Sequence, residues 1–360
     1  MSRLHVVTGK GGTGKTTVAA ALALALAAGG RRTLLVEVEG RQGIAQLFET
    51  EALPYEERKI AVAHGGGEVY ALAIDPERAL LDYLQTFYRL GSAGRALKKL
   101  GAVDFATTIA PGLRDVLLTG KACEAVRRRE SGDQLRRRDG HEQGGRRVYD
   151  AVVMDAPPTG RIARFLGVNE EVAGLARVGP VHNQAQAVMR VLKSPETAVH
   201  LVTLLEEMPV QETVDGVAEL RAAGLPVGAV VVNMVRPGLP DGELVEAAAA
   251  EDGTPDTPVA PGTRTEAEPD AGSYAPGLAD AFARAGLAPA DAGRLVRPLL
   301  SQAGEYAART ALEREQRAAL AELDLPGYEL GLLAEGVDLA GVYRLASELR
   351  AQLPQSREAA

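Results

Sequence analysis

The chain has 360 residues, 46% hydrophobic and 24% charged, with 40 Lys and Arg against 48 Asp and Glu for a net charge of −8. That length supplies a sizeable core, and the acidic balance argues against general polyanion binding, so no nucleic-acid partner is expected. A lone cysteine, Cys123, excludes an internal disulfide framework and any zinc site built on paired cysteines, which makes a reducing cytoplasm the natural setting.

The opening MSRLHVVTGKGG lacks the apolar stretch of a cleavable signal, so Met1 is expected to begin the mature chain. Leu4 to Thr8 is a short apolar, β-branched run that passes into GKGGTGKTT and then into an Ala/Leu helix stopping at Gly29-Gly30. The apolar part of that helix, Val18 to Ala28, is about half of the ~20 residues that cross a bilayer and reads as a buried helix. Further strands are expected at Thr33–Val38, Val69–Ile74, Tyr149–Met154, Val199–Leu204, Val227–Val232 and Tyr328–Leu333, separated by helical stretches. Strand alternating with helix is the pattern of an α/β fold with a mostly parallel β-sheet flanked by helices. Near-continuous apolar character suits strands covered on both faces.

Several stretches depart from that alternation. Residues 76–130 are too long for one crossover helix and read as an α-helical subdomain insertion, to which 171–192 is a possible addition. The run from Arg127 to Arg147 is a polar, mostly basic loop, and 238–277, rich in Pro, Gly, Ala and acid, reads as a flexible linker. One domain is therefore expected over 1–350, followed by a tail at 351–360.

Gly9-Lys10-Gly11-Gly12-Thr13-Gly14-Lys15-Thr16 satisfies the G-x-x-x-x-G-K-[ST] pattern of a P-loop. Glycines let successive backbone N–H groups turn toward phosphate oxygens, and the helix that follows adds its positive end. In this pattern Lys15 reaches the β- and γ-phosphates of ATP, the Thr16 hydroxyl meets Mg²⁺, and Thr17 contacts the α-phosphate. Val152-Val153-Met154-Asp155 is an apolar strand ending in a carboxylate, where an aspartate holds a Mg²⁺-bound water.

The second lysine, Lys10, gives KGGTGKTT, and here the sequence resembles the P-loop ATPases with a deviant Walker A motif: MinD, ParA, nitrogenase iron protein, ArsA and the guided-entry ATPase for tail-anchored membrane proteins. Asp155-Ala156-Pro157-Pro158-Thr159-Gly160-Arg161 resembles switch II of the ArsA and guided-entry branch, in a bacterial type. The stretches Ile109–Leu118, Pro209–Leu220 and Leu332–Val337 resemble segments of the same branch. The resemblance implies a Mg²⁺-dependent ATPase in which Lys10 crosses a dimer interface to the partner's nucleotide, with ATP closing and hydrolysis opening the dimer. It implies that Asn233, just past a strand, recognises adenine, although Asn at a strand end is also a common turn former. The dimer is formed with a second copy or with a paralogous ATPase, and a membrane-protein client is possible.

Two departures bear on these expectations. Where the branch carries D-P-A in switch I, with the aspartate orienting the attacking water, this chain has Glu39-Gly40-Arg41, placing Glu39 in that role. The cysteines with which the arsenite pump binds arsenite, and the CxxC zinc clip of the eukaryotic guided-entry factor, are missing, so neither arsenite nor zinc is expected. A ParA- or MinD-like positioning ATPase and a nucleotide-sensing subunit with little hydrolysis remain the alternatives.

Overall fold

The computed structural model describes residues 2–88, 111–130, 146–175, 180–237 and 282–353. Contacts divide the chain into two compact units, one formed by 1–235 with 320–360 and the other by 236–319.

The first unit is built on β1 (Leu4–Gly9), β2 (Arg32–Glu37), β3 (Arg58–Val62), β4 (Glu68–Ala73), β5 (Ala151–Asp155), β6 (Thr197–Thr203), β7 (Val227–Val235) and β8 (Gly327–Gly331). They form an eight-stranded sheet in the order β3-β4-β2-β5-β1-β6-β7-β8, parallel throughout except for β3. This is the fold class expected from the alternation of strands and helices. Side chains alternate between the two faces with a period of two. Leu4, Val6, Leu34, Val36, Val152 and Met154 therefore join one core cluster, while Val7, Leu35 and Val153 join the other.

The helices are α1 (Lys15–Ala27), α2 (Gly43–Leu47), α3 (Pro76–Tyr88), α4 (Pro111–Arg127), α5 (Thr159–Leu175), α6 (Pro180–Leu192), α7 (Glu207–Ala222), α8 (Pro289–Ala321) and α9 (Leu339–Gln352). On one face α4, α5, α6 and α7 contribute Leu117, Phe165, Leu192 and Leu220. On the other lie α1 and α9, with Leu24 and Leu345. From Val18 to Ala27 α1 is buried on every side, as an all-apolar helix must be. It ends before Gly29 and Gly30, both at φ near +80°, a conformation that suits glycine. In the second unit α8 carries Pro298 in its interior, where one ladder donor is lost.

The six later strands begin and end within three residues of their expected bounds. β3 was not expected. It is an antiparallel edge strand with a register shift between Lys59 and Ala61, and its RKIAV sequence gives neither a continuous apolar run nor a clean alternation. Of the expected insertion, α3 and α4 are described, and 89–110 lie outside the described residues. The 238–277 segment lies outside them as well, and the basic loop is described only at its ends, where Arg129 bridges to Arg147. Among the described residues no helix is long and apolar enough to cross a membrane.

On the α1 side of the sheet, His5 Nδ1 lies 3.0 Å from His200 Nε2, and His5 Nε2 lies 3.2 Å from the Ser2 carbonyl. A carbonyl only accepts, so His5 carries its hydrogen on Nε2 and takes a hydrogen bond on Nδ1 from His200. Burial holds both imidazoles neutral, lowering His5 to about 4 and His200 to about 3. The unfolded chain takes up these protons below the ordinary value of 6.5 while the folded chain does not. Stability therefore falls as pH drops from 6.5 toward 4, by up to ~1.4 kcal/mol per pH unit for each imidazole. Urea-unfolding midpoints across this window should show a shallower slope for the His5→Leu/His200→Leu double variant than for the unaltered protein. Equal slopes would mean that the imidazoles titrate normally.

Candidate nucleotide-binding site

β1 delivers the chain to the C-terminal edge of the sheet, the edge at which parallel α/β sheets bind ligands. At Gly9 a Cβ would run into the Val202 carbonyl of β6, so the loop leaves the strand only with glycine there. The loop is tied to itself by Thr13, whose N–H and hydroxyl both donate to the Lys10 carbonyl, at 3.3 and 2.9 Å. Gly12 and Gly14 have φ of +91° and +82°, and a Cβ on Gly11 or Gly12 would meet nothing within 4 Å. Gly11 and Gly12 thus face open space. α1 starts at Lys15 with no side-chain cap and no acid in its first turn, which includes Thr16 and the half-buried Thr17. Its first N–H groups are free for an anion, with the positive end of the helix behind them.

Thr16 and Asp155, 139 residues apart, meet here: the Thr16 hydroxyl donates to Asp155 Oδ2 at 2.7 Å. The register of β5 against β2 pairs Asp155 with Glu37. Burial pushes the Asp155 carboxyl up to about 6; Thr16 and Lys15 oppose this, and the charges of Glu37 and Glu39 add to it. Burial likewise holds the Lys15 ammonium below its usual range, while Asp155 and Glu39 pull it back up. Glu39 is half-buried, with Arg41 Nε 3.6 Å from its Oε2. Lys15, Thr16, Glu39 and Asp155 are thus brought to one place. A hydroxyl and a carboxylate side by side form an oxygen donor set suited to Mg²⁺, and the uncapped, glycine-lined loop suits phosphate.

Asn233 comes to the loop from β7. It is 4% exposed and donates through Nδ2 to the Thr13 carbonyl at 2.9 Å, so close that a Cβ on Gly14 would collide with it. The structure gives this amide a contact with the loop backbone that the sequence did not suggest. Leu332, the first residue of the Leu332–Val337 stretch that resembles a segment of the branch, donates its N–H to the Val235 carbonyl at 2.7 Å, so that stretch begins beside the end of β7.

Lys10 turns toward its own chain. Its Nζ is 2.6 Å from Glu212 Oε1 on α7, with the two side chains 29% and 38% exposed. Four residues on, a Cβ on Gly216 would clash with the Thr159 methyl of switch II. The Thr8 hydroxyl donates to the Pro157 carbonyl at 2.7 Å and ties the switch II turn to β1. Glu212, Thr8 and Glu37 were not singled out from sequence. Only Glu37 carried a local signal, an acid at the end of an apolar strand like Asp155.

The sequence profile of the family described as anion-transporting ATPases (ArsA) matches residues 2–195. The chain is 51% identical over 352 residues to ATPase BagA of Mycobacterium tuberculosis, which covers 97% of this chain and 93% of that protein. It is 27% identical over 263 residues to ATPase GET3 of Kluyveromyces lactis, covering 64% of this chain and 71% of the relative. It is also 27% identical over 247 residues to the arsenical pump-driving ATPase of Acidiphilium multivorum, covering 64% and 39%. A phosphate-ready loop at the sheet edge, with its hydroxyl and carboxylate already hydrogen-bonded, agrees with what these relatives are, and the chain belongs to the anion-transporting ATPase family as an ATP-hydrolysing P-loop enzyme.

Proposed function

We propose that this ATPase uses magnesium and works as a dimer, made with a second copy or a paralogue, whose closing and opening move a helical client-binding part. The observation that carries the reading is the Thr16–Asp155 hydrogen bond beneath an uncapped helix start. Gly11, Gly12 and the first N–H groups of α1 hold the phosphates, and Lys15 stands over the β- and γ-groups. Thr16 and Asp155 would hold the metal, which would supply positive charge to offset that of the phosphates. Glu39 accepts a proton from the attacking water and aligns it. Asn233 and the Leu332–Val337 stretch flank the base.

Lys10 is the group we assign to the partner's nucleotide. Its ion pair with Glu212 is partly exposed on both sides, and such pairs contribute ~0.2–1 kcal/mol. A triphosphate carries enough negative charge to draw the lysine away. Coupling to the helical part is supported by α5, whose first residues, from Thr159, belong to the switch II stretch itself. Its buried Asn169 donates to the Thr119 hydroxyl of α4 at 2.8 Å, so a shift of α5 reaches α4. The client we favour is a membrane protein met from the cytoplasm.

Phosphate release tests the chemistry. Glu39→Gln should lower turnover by about 10²-fold or more, to a residual rate, while nucleotide affinity stays unchanged, and Lys15→Ala should lose both; a Glu39→Gln variant that turns over normally would remove Glu39 from the mechanism. Native mass with and without ATP tests the pairing. Lys10→Ala should stay monomeric at saturating ATP, whereas Glu212→Gln, which frees the lysine, should pair at ATP concentrations lower by up to about fivefold. If Lys10→Ala pairs as the unaltered chain does, this lysine does not bridge the subunits.

A further inference from the structure

Glu37 is the last residue of β2, is 2% exposed, and has no place in the scheme above. A buried carboxylate is costly unless its oxygens are hydrogen-bonded. Here each oxygen takes one main-chain donor from the loop that follows: Oε1 accepts from the Gln42 N–H at 2.5 Å and Oε2 from the Ile44 N–H at 3.2 Å. Glu37 thereby closes a ring on its own chain, with residues 38–41 as the arc and Glu39 within it. At the near end of the arc, the Ile74 N–H donates to the Glu37 carbonyl at 3.0 Å. At the far end, Gln42 is held again by Leu53, whose N–H donates to Gln42 Oε1 at 2.7 Å. Gly43 then packs against Thr16, where an added Cβ would come within 3.3 Å of the threonine methyl.

Movement in switch I is therefore confined to a short arc. Val38 is buried, which leaves Glu39, Gly40 and Arg41, with Gly40 at φ +68° and open space where a side chain would lie. An arc anchored at both ends limits where the Glu39 carboxylate can reach, and a displacement of about 1 Å at a reacting water costs on the order of 10²-fold in rate.

We infer that Glu37 is a positioning residue for ATP hydrolysis: by clamping the Gln42 and Ile44 N–H groups it fixes the arc from which Glu39 reaches the attacking water. The inference rests on the water-aligning role proposed for Glu39. Glutamine at 37 keeps the shape but turns an NH₂ toward one of two N–H donors, so the clamp opens without a cavity being made.

The test measures kcat, KM and ATP affinity for Glu37→Gln, Glu39→Gln and the double variant, with amide hydrogen exchange at residues 42–44. We expect Glu37→Gln to lower kcat by about tenfold or more, to leave KM and affinity within about twofold, and to speed exchange at 42–44. Because Glu37 acts through Glu39, the double variant should be no slower than Glu39→Gln alone. If Glu37→Gln fails to bind ATP at all, Glu37→Asp serves instead, with its oxygens drawn back by about one bond and a smaller kcat loss expected. Normal kcat in a variant whose exchange at 42–44 has sped up would overturn the inference, as would losses that simply multiply in the double variant. Should Glu39→Gln itself turn over normally, the Glu39 assignment falls and takes the inference with it. Should Glu39→Gln be inactive while Glu37→Gln is normal, only the inference falls.

Discussion

The register that sets Asp155 beside Glu37 at the C-terminal edge of β5 and β2 places two buried carboxylates next to each other, and such neighbours are stable only where other groups neutralise or hydrogen-bond them. The chain answers differently for each. Asp155 takes the Thr16 hydroxyl and the field of Lys15, both from the first turn of α1. Glu37 takes two main-chain N–H groups from the loop after β2. What remains uncompensated shows in the Asp155 carboxyl, still held up near 6. The first turn of α1 and the loop after β2 are thus each tied to one of these acids. The same negative charge, next to a loop open to phosphate, suits the divalent cation proposed for this site.

Burial of the contacting groups separates the firmly held parts of this site from the more weakly held ones. Thr8 to Pro157, Thr16 to Asp155, and Glu37 to Gln42 are short, and each has at least one buried partner. They hold the switch II turn to β1, the first turn of α1 to β5, and the loop after β2 to its strand. Lys10 and Glu212 are also close, yet both reach solvent, and water competes for each charge. Lys10, the cation to which the family resemblance gives a role at the partner's nucleotide, is thus held by a contact that solvent weakens.

Legibility from sequence followed the distance over which each feature is encoded. The P-loop spans eight consecutive residues whose backbone needs are local, so its glycines, Lys15 and Thr16 could be placed by spacing alone. The strand before Asp155 was equally plain, because a parallel strand buried on both faces is an unbroken apolar run. β3 was hidden because an edge strand half in solvent has no such signature, and its pairing with β4 is broken by an irregular register. The Lys10–Glu212 pair joins residues 202 positions apart, and only the placement of α7 beside the loop makes it visible. Glu37 was passed over for another reason. It lies two residues from Glu39, and its partners are main-chain N–H groups of Gln42 and Ile44, which carry no side-chain signature in the sequence. Asn233 was expected just past a strand, but β7 runs on to Val235 and carries Asn233 within it, and its contact with Thr13 depends on Gly14 having no side chain.

α7 connects these observations. Glu212 and Gly216 are one turn apart on the same face of that helix, the first meeting Lys10 and the second making room for Thr159 of switch II. Among the described residues the Thr159 hydroxyl is buried without a partner, so its seat against Gly216 rests on shape alone. A helix that touches the signature lysine at one turn and switch II at the next cannot shift for one without altering the fit of the other. A rigid element with two such contacts is sufficient to link the state of the P-loop to that of switch II, because packed side chains exchange between discrete fits rather than deform smoothly.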